Sequence, residues 1–99
     1  MVRLVDSQIR SLTNAAHKFF GDSATIWLYG SRVDDKKRGG DIDLYIETDL
    51  TIGLTQAKLQ MRGEIWKEFG DQKIDILIRS RSEAPSPIHI IAKETGVIL

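Results

Sequence analysis

The chain has 99 residues, and 14 Lys+Arg balance 14 Asp+Glu to a formal net charge of zero, which argues against the tight, non-specific nucleic-acid binding of a basic domain. Hydrophobic residues at 41% and charged residues at 28% are the proportions of a folded globular chain rather than a disordered one. With no cysteine, a disulfide framework, a thiolate nucleophile and a Cys-based zinc site are all excluded. The length predicts one domain over 1–99. The first residues lack the apolar core of a signal peptide, and no run approaches the roughly 18 apolar residues of a membrane span, so a cytoplasmic location is expected.

Asp6 is placed to cap a first helix, with Ile9, Leu12, Ala16 and Phe19 at helical spacing and Gly21-Asp22 as its stop. Ala24 to Tyr29 is short, β-branched and aromatic, which predicts a strand running straight into Gly30-Ser31. The polar stretch Arg32 to Gly40 reads as a turn of helix and a loop, with Lys36, Lys37 and Arg38 as a solvated charge run. Asp41 to Glu47 alternates strictly and sets Ile42, Leu44 and Ile46 against Asp41, Asp43, Tyr45 and Glu47. Leu54, Ala57, Met61, Ile65 and Phe69 form the stripe of a second helix, interrupted by Gly63. Lys73 to Arg79 alternates again, with Ile74, Ile76 and Ile78 opposed to Asp75 and Leu77. Ser86 caps a third helix with Pro87 at its first position, and Gly96 closes it. The predicted class is α+β: a small mixed β-sheet with helices packed on one face, in α-β-α-β-α order, the three strands separated by helices or by the short helical turn.

The acidic side of those strands is the most informative feature. Asp41 and Asp43, two apart on a strand, share one side at about 6.6 Å, and Asp75 enters the same space if its strand is the neighbour. Three such carboxylates repel one another unless a cation sits among them. Hard oxygen ligands with no His or Cys nearby suit Mg²⁺ or Mn²⁺ rather than zinc. Gly30-Ser31 lies where a strand ends and a helix begins, a place where backbone N–H groups and the Ser31 hydroxyl can face a phosphate. His17 and His89 have no catalytic neighbour in sequence and read as structural. Trp27, Tyr29 and Tyr45 suggest an apolar surface awaiting a partner.

Tyr29-Gly30-Ser31-Arg32 followed by Asp41-Ile42-Asp43-Leu44, with Asp75 inside a later apolar strand, resembles the polymerase-beta-type nucleotidyltransferase superfamily. Its signature is Gly-Ser, a spacer, Asp-x-Asp and a third carboxylate on a downstream strand. The length is similar to the minimal nucleotidyltransferase (MNT) domains, as in HEPN/MNT pairs. The nine-residue spacer, Arg32 to Gly40, is one shorter than in many minimal members, and Val33-Asp34-Asp35 stands where they carry Ala-Arg-Gly. The resemblance implies a polymerase-beta-like core that moves a nucleoside monophosphate, AMP from ATP, to a hydroxyl acceptor on a small helical partner of the HEPN or substrate-binding type, as in a toxin–antitoxin pair. It implies Asp41, Asp43 and Asp75 as catalytic residues and ligands of Mg²⁺, with Mn²⁺ as the alternative ion. Gly30, Ser31 and Arg32 then bind the nucleotide. A reading from a different class is a non-catalytic module that neutralises or scaffolds a helical partner by contact. Base preference and oligomeric state stay open, with a homodimer and a hetero-oligomer both compatible.

Overall fold

The structure, a computed structural model, describes residues 4–30, 41–70 and 72–99. In chain order the elements are α1 (Asp6–Phe20), β1 (Thr25–Tyr29), β2 (Ile42–Thr48), α2 (Leu54–Phe69), β3 (Ile74–Ser80), α3 (Pro87–Thr95) and β4 (Val97–Ile98). The expected α+β class with a mixed sheet is what is found: β1 pairs antiparallel with β2, while β2 pairs parallel with β3. A parallel neighbour needs a crossover, and α2 supplies it. The predicted helical turn after β1, with Lys36, Lys37 and Arg38, lies outside the described residues, as do Ser31 and Arg32.

The period-2 pattern sets the core. Ile26, Leu28, Ile42, Leu44, Ile46, Ile74 and Ile76 form the inner face and meet Leu12, Ala16 and Phe20 of α1 and Ala57, Met61 and Ile65 of α2. Each fully buried aliphatic side chain there contributes roughly 1.5–3 kcal/mol. The stripe on α2 is as expected, and the helix runs through the exposed Gly63. On α1 the buried face is turned toward Ala15 and Phe20, and Phe19 is only half-buried. The first turn of α1 also differs from expectation. Val5, not Asp6, is the N-cap, and its backbone N–H donates to Gln8 Oε1 at 3.0 Å. Asp6 instead lies in the first turn, where its charge meets the positive end of the helix dipole.

Two features correct the sequence reading. The helices do not all lie on one face, because α3 crosses the outer side and buries Ala92 against Trp27 and Tyr45. Those rings need cover; the His89 ring stacks on Tyr45 with centroids 5.5 Å apart, and Lys93 Nζ stands 5.3 Å over Trp27. The apolar surface expected at Trp27 and Tyr45 is thus covered from within the chain. The second correction is a fourth strand. β4 gives the order β3-β2-β1-β4, pairing antiparallel with β1 through Trp27↔Ile98 and Leu28↔Val97. Two residues are too few to show a period, and what admits them is Gly96, where a Cβ would come within 2.9 Å of Leu28 O.

The histidines are structural, as expected. His89 Nδ1 accepts the Ser86 N–H at 2.9 Å and so closes the start of α3, and His17 Nε2 lies 3.2 Å from Ala24 O. Among the described residues no helix is long and apolar enough to cross a membrane.

Candidate active site

At one end of the sheet β1 finishes while β2 and β3 begin, and the outer face there is acidic. The parallel register sets Asp43 beside Asp75, and the antiparallel register sets Tyr29 on the other side of Asp43. With Ile42, Leu44, Ile74 and Ile76 committed to the core, the odd-numbered neighbours must face outward. Asp41 falls one residue before β2 and two before Asp43, on that same face. Three carboxylates from two separated parts of the chain therefore share one end of one face.

Among the described residues their electrostatics are those of mutual repulsion that Lys73 only partly offsets. Burial raises the Asp43 carboxyl above its ordinary range, Asp75 and Asp41 raise it further, and Lys73 opposes them. Burial, then Asp43 and Asp75, likewise raise the Tyr29 hydroxyl. Lys73 Nζ stands 3.9 Å from Asp41 Oδ2 and 4.0 Å from Asp75 Oδ2. Its side chain is 67% exposed, so these pairs are solvent-screened and contribute little.

Sequence reasoning gave Lys73 no role, and read Tyr29 as part of the Tyr29-Gly30-Ser31-Arg32 motif and of an apolar surface, not as a neighbour of the carboxylates. The signal was present for both: Lys73 precedes Asp75 by two residues on a strand, and Tyr29 immediately precedes Gly30.

A family model for a nucleotidyltransferase domain matches residues 9–98. The chain belongs to that family. Comparison with curated proteins gives no match. The matched span of this nucleotidyltransferase domain takes in α2, all four strands, and Gly30, Asp41, Asp43 and Asp75.

Nucleotidyltransferase domains generally use divalent metals, and the donor set here suits one. Asp41, Asp43 and Asp75 offer hard oxygen ligands, and the Asp43 carboxyl is raised first by burial and then by the charges of Asp75 and Asp41, a repulsion that a cation would relieve. Among the described residues no three acidic or histidine side chains stand close enough together to hold an ion as they lie. Asp41 and Asp75 lie instead within 4.0 Å of Lys73 Nζ.

Gly30, at the end of β1, packs directly against the Asp43 side chain. Its φ of +78° lies in the left-handed region, and a Cβ there would overlap the Asp43 carboxylate. No other residue satisfies both demands. Gly30→Ala is accordingly expected to destabilise the domain by about 1–3 kcal/mol and to displace Asp43. Urea denaturation measures the first effect. The second appears as loss of transferase activity at temperatures where the variant is still folded.

Proposed function

We propose that this nucleotidyltransferase domain transfers AMP from ATP to a hydroxyl group on a protein acceptor, with Mg²⁺ as the divalent ion. The observation that carries the reading is the register of β2 and β3, which sets Asp43 beside Asp75 on the face that also holds Asp41, next to Gly30. Asp41, Asp43 and Asp75 are the residues that would hold Mg²⁺ or Mn²⁺. The chemistry so supplied is neutralisation of the triphosphate and stabilisation of the attacking and leaving oxygens. The chain's own groups bind and orient. Backbone N–H groups at Gly30 and Ser31 receive the β- and γ-phosphates, with the Ser31 hydroxyl and Arg32 as further donors. Asp75 takes the proton of the acceptor hydroxyl as the acceptor oxygen bonds to the α-phosphorus, and the bond from that phosphorus to the departing pyrophosphate breaks.

The acceptor in this reading belongs to a small helical protein of the HEPN or substrate-binding type, paired with this chain as toxin with antitoxin in the cytoplasm. Exposed Ile88 and Ile91 on α3 and Ile98 on β4 give such a partner an apolar contact. Label transfer from α-labelled ATP with Mg²⁺ in lysate of the source cells tests it. A labelled protein is expected with the wild type and not with the Asp41→Ala/Asp43→Ala double variant. The contact-only reading draws on Lys73, an internal cation already beside two of the carboxylates. It takes precedence if no common nucleoside triphosphate yields label with either Mg²⁺ or Mn²⁺.

A further inference from the structure

We infer that Lys73 is a positioning residue of the carboxylate site: its ammonium pairs with Asp41 and Asp75 in the metal-free domain and is exchanged for the divalent ion. The inference rests on the reading of Asp41, Asp43 and Asp75 as metal ligands. Lys73 lies just ahead of β3, where its carbonyl accepts the Ile42 N–H at 2.9 Å. That bond fixes its backbone at the end of the β2–β3 ladder. Ile42 is in register with Ile74, so one residue further out Lys73 falls beside Asp41. Two residues inward, on the same face, stands Asp75. The ammonium bridges the two, with Nζ 3.9 Å from Asp41 Oδ2 and 4.0 Å from Asp75 Oδ2. It also works against the rise of the Asp43 carboxyl, so one lysine acts on all three carboxylates.

An ammonium and a divalent ion compete for the same oxygen atoms here. The ammonium donates hydrogen bonds to a carboxylate from a distance, whereas Mg²⁺ draws its oxygen ligands in to about 2.1 Å. Oxygens of Asp41 and Asp75 committed to one cation are less available to the other. An exposed ion pair is worth only about a 1.4- to 5-fold factor in an equilibrium. Lys73 is 67% exposed, so its two pairs are too weak to bar a divalent ion. They are strong enough to lower its affinity and, until it binds, to offset part of the repulsion among the carboxylates. The side chain also has room to withdraw, since Lys73 and Trp66 both line an open groove of about 290 Å³.

A neutral residue at this position therefore has opposite effects in the two states. Without metal the variant loses the pairing and is less stable than the wild type. With metal the wild type has given up the same pairing, and its ammonium is left repelling the ion. The difference in stability should then vanish or change sign. A lysine that served the fold alone would leave the variant weaker by the same amount in both states.

Lys73→Met is expected to bind Mn²⁺ about two- to twentyfold more tightly than the wild type, read from free Mn²⁺ by electron paramagnetic resonance without nucleotide. In chelator its melting temperature should lie about 2–8 °C below the wild type, and in saturating Mn²⁺ it should reach or pass it. Lys67→Met is the control. Lys67 is 76% exposed and pairs with Glu64 at 3.9 Å on α2, so its removal takes away a similar weak pair remote from the carboxylates in sequence. Its Mn²⁺ affinity should match the wild type. If the methionine variant does not fold, Lys73→Gln, also neutral and less apolar, carries the same comparison. A Lys73 variant that binds Mn²⁺ no more tightly than the wild type overturns the proposal. So does a deficit in melting temperature that Mn²⁺ leaves in place, or a Lys67→Met chain that gains as much affinity. Should neither the wild type nor the Lys73 variant bind Mn²⁺, the metal reading of the carboxylates falls, and this inference with it. Binding by the wild type that Lys73→Met leaves unchanged removes only the role of Lys73.

Discussion

Asp43→Asn is expected to lower nucleotidyl transfer on the order of a thousandfold, the scale set by removing one group that stabilises developing charge. It should also make the metal-free protein more stable at neutral pH. The two effects share one cause. Asp43 is the carboxylate with Asp75 beside it in the parallel register and Asp41 two residues earlier, and burial adds to their repulsion. Its carboxyl is raised in the folded protein, so the folded state holds that proton more tightly than the unfolded chain does. The group therefore favours folding when protonated. That advantage is lost as pH rises through the ordinary carboxyl range and on through the raised folded value. Above that value the ionised group is a net cost, and asparagine, of nearly the same shape, removes it. Melting temperature in the presence of a chelator should thus be higher for Asp43→Asn than for the wild type at pH 7, with the gap closing in acid. Added Mg²⁺ and ATP should raise the melting temperature of the wild type and leave the variant unmoved. A variant that melts lower than the wild type at neutral pH would mean that Asp43 supports the fold.

Much of this arrangement was legible in the sequence, for an identifiable reason. Strict alternation in Asp41 to Glu47 and Lys73 to Arg79 fixes which face each side chain takes, whatever the partner strand. Asp41, Asp43 and Asp75 could thus be put on one face before their strands were known to be neighbours. Alternation says nothing about what covers that face. The placement of α3 over Trp27 and Tyr45 depends on contacts between residues far apart in the chain, such as His89 on Tyr45 and Lys93 on Trp27, which no local pattern encodes. β4 escaped for a different reason: its two residues exist as a strand only because Gly96 lets the chain approach Leu28. Lys73, two residues before Asp75 and just ahead of β3, shares the face of the carboxylates by the same alternation that places Asp75.

The largest effect on stability is expected far from the carboxylates, at Glu47. Its side chain is 7% exposed, and its Oε2 accepts the Tyr45 hydroxyl at 2.8 Å and Arg79 Nη2 at 3.0 Å, with Lys93 Nζ at 3.5 Å. Arg79 Nε donates in turn to the Tyr45 hydroxyl at 3.0 Å. Burial works against the Glu47 charge, but the Tyr45 and Arg79 hydrogen bonds and the Lys93 and Arg79 charges outweigh it and hold the carboxyl below its ordinary range. A lowered carboxyl contributes stability that is complete above the unfolded value and lost as pH falls through the folded one. This is the reverse of Asp43. Glu47→Gln keeps the shape but leaves Arg79 and Lys93 facing a neutral group, and breaking one side of a buried ion pair costs about 3 kcal/mol. In a domain of this size that corresponds to a fall in melting temperature of more than about 10 °C. The loss should be largest at neutral pH and shrink in acid, where the wild type gives up the same interaction. Adding Arg79→Met to Glu47→Gln should cost less than the two single changes summed, since each alone strands the other partner. Because Lys93 and Tyr45 tie α3 to the sheet over Trp27, loosening should appear first in the near-ultraviolet circular dichroism of that ring. Glu47 pairs with Thr25 and Asp43 with Tyr29, at opposite ends of the β1–β2 ladder. Transferase activity per folded molecule should therefore survive Glu47→Gln at low temperature. If activity fell in proportion to stability even there, α3 would be holding the carboxylates as well as the fold.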